Sequence, residues 1–177
     1  MIFNEKFQQL IKKRKFWDSQ PVPKPNEIKQ LKSGAIEKKK TKEQLEEITK
    51  LPLNFLWQNF DLENEKDIEE IYTLLTENYV EDDDGCFRFD YSKDFIQWAL
   101  LHPGFSKDLF FGIRDKNKDD KLVGFISGLI MNLSVENKVI KLTEVNFLCV
   151  HKDYRNHYMA SVLIREVVRR SNLKGIW

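Results

Sequence analysis

His151, Lys152, Arg155 and His157 sit between an apolar run, Val145–Val150, and an amphipathic stretch that follows at once. Residue types at this spacing can hold an anion. A helix N-terminus leaves backbone N–H groups unpaired and carries partial positive charge, so a helix that starts just after a strand is a natural phosphate site. Lys152 and Arg155 add charge there, and a protonated His157 adds more. The strand end supplies further N–H groups that can face the oxygen of a carbonyl under attack. Such a junction can hold a phosphorylated acyl carrier and polarise its thioester. The same pattern also describes a solvated basic turn ahead of an ordinary core helix, because strand–turn–helix is a common arrangement.

A second cluster is the acidic run EDDD at 81–84. Its spacing is poor for a metal: a calcium loop needs oxygen ligands at alternating positions, and Cys86 falls where one is required. No metal site is expected. Beside a groove, the carboxylates would favour a Lys-bearing substrate; otherwise they are a solvated charge run. Cys149 and His151 stand two apart on a strand and share a face. No third residue orients them, so Cys149 reads as a buried structural thiol rather than a nucleophile. Trp17, Trp57 and Trp98 read as packing residues.

These candidates need elements to position them. Asn64 can cap a helix over 64–78 that places Ile68, Ile71, Leu74 and Leu75 on one face. Ser92 caps a second, which is expected to bury Phe95, Ile96 and Trp98–Leu101 and to end at Pro103 and Gly104. Strands are expected over 109–114, 121–133 and 138–150, with Glu136-Asn137 turning between the last two. A final helix over 156–172 carries the stripe Met159, Val162, Leu163 and Val167. The plan is α+β: helices on a largely antiparallel sheet. The chain stops at LKGIW, where a further strand is expected, so the fold reads as incomplete.

Ahead of this, residues 4–14 suggest a short basic helix, Pro21, Pro23 and Pro25 force an extended path, and 27–50 is rich in Lys and Glu. An N-terminal arm and charged linker over 1–50 and a folded domain over 51–177 are therefore expected. The 177 residues are 41% hydrophobic with a net charge of +1, enough for a core and too little positive charge for a general nucleic-acid binder. No membrane span or secretory signal is evident, and two distant cysteines fit a reducing, cytoplasmic setting.

Four stretches resemble the protein N-myristoyltransferases, relatives of the N-acetyltransferase superfamily: KFWDSQPVPK (15–24), YTLLTENYVEDDDGCFRFDYS (72–92), KLVGFIS (121–127) and EVNFLCVHKDYRNHYMASVLIREVVRR (144–170). They occur in the family's order and cover the N-terminal half of its usual two-half chain. The resemblance implies an N-acetyltransferase-like sheet and transfer of myristoyl from myristoyl-CoA, a co-substrate, to the N-terminal glycine amine of a protein. No further cofactor is implied. It places the backbone amides of Phe147 and Leu148 in the oxyanion hole and Asn146 near the reacting centre. It assigns Lys15, Phe16, Trp17, Phe147, Leu148, Cys149, Val150, Arg155, Asn156, His157, Tyr158, Met159, Ala160 and Ser161 to acyl-CoA. Tyr79, Val80, Glu81, Asp82, Asp84, Phe87 and Phe89 match the peptide groove. Tyr158 replaces an expected arginine and Ser161 an expected proline at the phosphate turn. A monomer is expected. The family's base, a C-terminal carboxylate, belongs to the second half, so this half alone is expected to turn over weakly. A non-catalytic acyl-CoA or peptide-binding relative and a small-acyl N-acetyltransferase are the alternative readings.

Overall fold

The computed structural model describes residues 20–23, 34, 36–82 and 84–177, apart from the side chains at 156 and 157. The chain divides between Lys40 and Thr41, and the unit Thr41–Trp177 carries the sheet. Its first element is a short helix, α1 (Lys42–Glu46), closed by a capping box in which Thr41 and Gln44 satisfy each other's backbone N–H groups. Leu45 on α1 is buried, and Arg169 donates to its carbonyl at 2.7 Å. Residues 41–50 therefore pack with the sheet unit, although their Lys and Glu content reads as linker.

Four strands form one antiparallel sheet in chain order: β1 (Phe55–Asn59), β2 (Phe110–Asp115), β3 (Lys121–Val135) and β4 (Lys138–Val150). β1 is an addition to the expected elements. Its FLWQN is short and lacks alternation, and it is a strand because it pairs with β2 from Phe55↔Asp115 to Asn59↔Phe111. The expected turn between β3 and β4 forms at Glu136 and Asn137, both at positive φ, the conformation that matches strand twist in a two-residue hairpin. Strands β1 to β3 approach closely at Gly112, where an added Cβ would lie 2.3 Å from the Gly124 carbonyl oxygen.

Helices cover both faces. On one, α2 (Glu65–Asn78) and α3 (Lys93–Leu100) set Ile68, Ile71, Leu74, Leu75, Ile96 and Leu100 against Phe60, Phe110, Phe125, Leu129, Phe147 and Cys149. On the other, α4 (Met159–Leu173) sets Met159, Leu163 and Val167 against Phe111, Ile113, Val123, Ile126 and Val150. Alternate strand residues thus feed two cores, as a period of two requires. Burial on both faces explains the continuous apolar run of β3. Asn64 and Ser92 cap α2 and α3 as expected, accepting from Lys66 and Asp67, and from Phe95.

Two expectations are corrected. Phe95 and Trp98 are exposed, Trp98 by 76%, because the face of α3 that meets the core carries Ile96 and Leu100, with Ala99 half-buried beside them. The last helix begins at Met159, not 156: a 3-10 turn, Lys152–His157, and Tyr158 at φ +57 intervene. A residue in the left-handed region cannot continue a helix, so Tyr158 sets its start.

Candidate active site

The site is built on a break in the β3–β4 ladder. Ser127 pairs with Asn146 and Phe125 with Cys149, so Phe147 and Leu148 both oppose Ile126. This is a β-bulge, and its first residue, Phe147, lies at φ +48. Bulges turn backbone groups out of the ladder and re-aim side chains. A left-handed non-glycine residue costs about 1–2 kcal/mol. Three contacts hold it there. The Ser127 hydroxyl donates to the Asn146 carbonyl at 2.7 Å, and the Phe147 N–H donates to the Asn146 Oδ1 at 2.9 Å. The Phe147 ring is buried edge-on against Tyr91, with Tyr79 beside it.

Grooves open on two sides of the bulge. The larger, about 930 Å³, runs past Tyr91, Phe95, Trp98, Leu129, Asn146 and Phe147. The smaller, about 440 Å³, lies between Tyr79, Val80, Leu148, Cys149, Arg155 and Ala160. Tyr79 lines both. The residues at 147 and 148 are thus the boundary between two concave surfaces.

The basic turn differs from a bare helix N-terminus. Arg155 bridges two carbonyls, donating to Asn78 at 2.5 Å and to Val150 at 3.3 Å. The Lys152 ammonium donates to Glu81 at 3.1 Å, and its backbone N–H donates to the buried Asn78 side chain at 3.0 Å. His151 accepts from the Asp153 N–H through Nδ1, and its Nε2 lies 3.0 Å from the Lys121 ammonium. Met159, the first residue of α4, is buried in the core between that helix and the sheet. Tyr158 is exposed, Ala160 lines the smaller groove, and Ser161 is half-buried in the first turn of α4. The side chains of Asn156 and His157, and all of Lys15, Phe16 and Trp17, lie outside the described residues.

Val80, Glu81 and Asp82 pair back on Phe87, Arg88 and Phe89. Asp82 and Phe87 exchange backbone and side-chain bonds, the Phe89 N–H donates to Val80, and Gly85 turns the chain at φ +66. Glu81 is held by Arg88 at 2.9 Å as well as by Lys152, and these two cations lower its pKa, Arg88 first. Glu81 and Asp82 are thus engaged within the protein, while the Asp84 carboxylate is exposed and accepts no hydrogen bond among the described residues. Val80, Phe87 and Phe89 project outward from the same paired segments.

Cys149 is buried beside the Leu74 carbonyl. Desolvation pushes its thiol up to about 12, only partly opposed by Arg155. At neutral pH it is therefore protonated and inert. Alkylation of the native chain with iodoacetamide is expected to modify the exposed Cys86 and leave Cys149 intact until denaturant is added, as peptide mass spectrometry would read. Among the described residues no group of three or more His, Cys, Asp or Glu is placed to hold a metal. No described helix is long and apolar enough to cross a membrane.

Residue types alone did not flag the aromatic series beside the bulge. Phe89 stacks on Tyr91, Tyr91 stacks on Phe95 at 4.9 Å, and Phe95 leans on Trp98. The spacing of aromatics in FRFDYSKDFIQW was its signal.

The fold has counterparts in known proteins. The structure superposes on N-myristoyltransferase of Saccharomyces cerevisiae with bound myristoyl-CoA, with a TM-score of 0.85 and 44% identity, over 94% of this chain and 39% of that one. A GCN5-related N-acetyltransferase from Kribbella flavida shares the fold alone, at 15% identity and a TM-score of 0.50, over 69% of this chain and 28% of that one. Glycylpeptide N-tetradecanoyltransferase of Dictyostelium discoideum is 50% identical over 166 residues, 94% of this chain and 40% of that protein. The chain thus spans less than half the length of these relatives. The sequence profile of the family "Myristoyl-CoA:protein N-myristoyltransferase, N-terminal domain" matches residues 35–177. On that match, and on a fold that superposes on its solved structures, the chain belongs to the protein N-myristoyltransferase family and corresponds to its N-terminal domain.

Proposed function

We propose that this chain supplies the acyl-CoA-binding half of an enzyme that moves myristoyl from myristoyl-CoA to the N-terminal glycine amine of proteins. The observation that carries the reading is the β-bulge, whose two consecutive residues border two grooves, Phe147 the larger and Leu148 the smaller. In the reaction a neutral amine attacks the thioester carbonyl. The N–C bond forms, the C–S bond breaks, the amine loses a proton and CoA leaves as its thiol. Negative charge builds on the carbonyl oxygen, and backbone N–H donors aimed at it stabilise the transition state. Phe147 and Leu148 are the proposed donors, with Asn146 beside them.

Arg155, Ala160 and the turn Lys152–His157 are proposed to border the CoA, together with Lys15, Phe16 and Trp17 of the arm that precedes the domain. Phosphate contact there falls to the backbone N–H groups at the start of α4, where no side chain caps the helix, because Arg155 and the N–H groups of Lys152 and Asp153 already have partners and Tyr158 brings no charge. Tyr79, Val80, Phe87 and Phe89 are proposed to line the peptide path. Of the acidic residues described, Asp84 is the best placed to meet a substrate lysine, since Glu81 and Asp82 already have partners. A cytoplasmic, monomeric protein fits this reading.

The test is calorimetric titration of this chain with myristoyl-CoA, acetyl-CoA and free CoA. Binding that requires the C14 chain is the expected result. Equal affinity for acetyl-CoA would favour a small-acyl N-acetyltransferase. A folded chain that binds none of the three would overturn the assignment of the acyl-CoA site to this domain.

A further inference from the structure

One proposed oxyanion donor is not free in this structure. The Phe147 N–H points to the Oδ1 of its own neighbour, Asn146, at 2.9 Å. The contact is local, between adjacent residues: the peptide group that carries the Phe147 N–H is the one whose carbonyl Ser127 holds, so the N–H points away from Ser127 and meets the Asn146 side chain. The Asn146 backbone is fixed independently: its carbonyl accepts from Ser127, whose side chain is fully buried, and its pairing with Ser127 is the last regular pair before the bulge. The carboxamide, by contrast, is half-buried and borders the larger groove, so it has room to turn. A backbone N–H has one hydrogen to give.

We infer that Asn146 is a positioning residue that holds the Phe147 N–H in the geometry a carbonyl needs, and that an acyl carbonyl binds by displacing the Asn146 carboxamide into the groove. The inference rests on the proposed acyl-CoA site. An exchange of one hydrogen bond for another leaves little net gain, so the carbonyl contributes less to ground-state affinity than an open donor would allow. That is a useful property in catalysis, where donors should reward the transition state more than the substrate. The carboxamide also keeps the donor from relaxing into the ladder when no carbonyl is present to hold it.

The test compares two ligands that differ only at the carbonyl: myristoyl-CoA, and S-tetradecyl-CoA, which has a methylene in its place. Calorimetric Kd values are measured for the wild-type chain, Asn146→Ala and Asn146→Asp. The ratio of the two Kd values isolates the carbonyl, since changes in chain or CoA contacts affect both ligands. Removing the competitor in Asn146→Ala is expected to raise the preference for the carbonyl ligand about fivefold, the worth of one net hydrogen bond. Asn146→Asp keeps the shape and strengthens the acceptor, so the preference is expected to fall by a similar factor. A ratio unchanged in both variants would overturn the inference while leaving the acyl-CoA site standing. If Asn146→Ala does not fold, Asn146→Asp decides alone, and an unchanged ratio there overturns it. If neither ligand binds the wild-type chain, the proposed function falls and this inference with it.

Discussion

Replacing Glu166 with alanine is expected to lower the unfolding free energy of this chain by about 3–5 kcal/mol, the usual cost of removing one member of a buried ionic cluster. Glu166 is fully buried in the middle of α4. Its carboxylate accepts from Arg169 at 2.7 and 2.9 Å, from Arg170 at 2.9 Å, and from the Thr49 N–H at 3.2 Å. Both arginines reach further. Arg169 holds the Leu45 carbonyl, and Arg170 binds Asn59 and the Asp108 carbonyl while lying 3.9 Å above the Phe111 ring. One carboxylate therefore orients two cations that fasten α1, β1 and the turn before β2 to α4. Without it, two guanidinium groups remain partly buried with no countercharge. For a unit of this size the loss corresponds to a fall in Tm of about 10–15 °C. A change below about 3 °C would show that the arginines find other partners and that the cluster contributes little.

The same residue sets an acid limit. Burial raises the Glu166 pKa, but the hydrogen bonds from Arg169, Arg170 and Thr49 outweigh it and hold the group at about 2, against an ordinary 4.5. Folding thus lowers its pKa. The stabilisation is complete above the ordinary value and is lost as pH falls through 4.5 towards about 2. Urea melts between pH 6 and 2 should show wild-type stability declining over that window. Glu166→Gln should be less stable at pH 6 and lose less on acidification. Parallel declines would remove Glu166 as the source.

Much of the fold was legible because the deciding signals are local. Asn64 and the 3.6-residue spacing of Ile68, Ile71, Leu74 and Leu75 define α2, and Glu136-Asn137 defines the long hairpin. What was not legible depends on partners distant in sequence. FLWQN becomes β1 only through β2. Trp98 looks like core until the face of α3 that meets the sheet is known. Glu166, with arginines three and four residues on, has the spacing of a surface ion pair, and only the fold buries it. The bulge has no sequence mark of its own, since the residue at positive φ is Phe147 rather than glycine. There the family resemblance supplied the residues, and the ladder supplied the geometry.

Arg155 separates charge from geometry most sharply. The sequence offers it as a phosphate ligand, yet its guanidinium joins the carbonyl of Asn78, the last residue of α2, to that of Val150, the last of β4. Carbonyls at a helix C-terminus carry partial negative charge, so a cation is favoured there. The bridge fixes the spacing between Tyr79–Glu81 and Leu148–Val150, the two walls of the smaller groove. Arg155→Ala is expected to cost about 1–2 kcal/mol of stability, for loss of two hydrogen bonds from a charged donor to carbonyls that water can partly reach. Arg155→Lys distinguishes the roles. Lysine keeps a point charge, which a phosphate would accept, but lacks the planar fork needed to serve two carbonyls at once. If bridging is the role, Arg155→Lys should be destabilised nearly as much as Arg155→Ala in thermal melts, and both should weaken myristoyl-CoA binding about tenfold as the groove loses its shape. If lysine restores both stability and affinity, charge alone is what the position requires, and the turn holds its anion through the side chain after all.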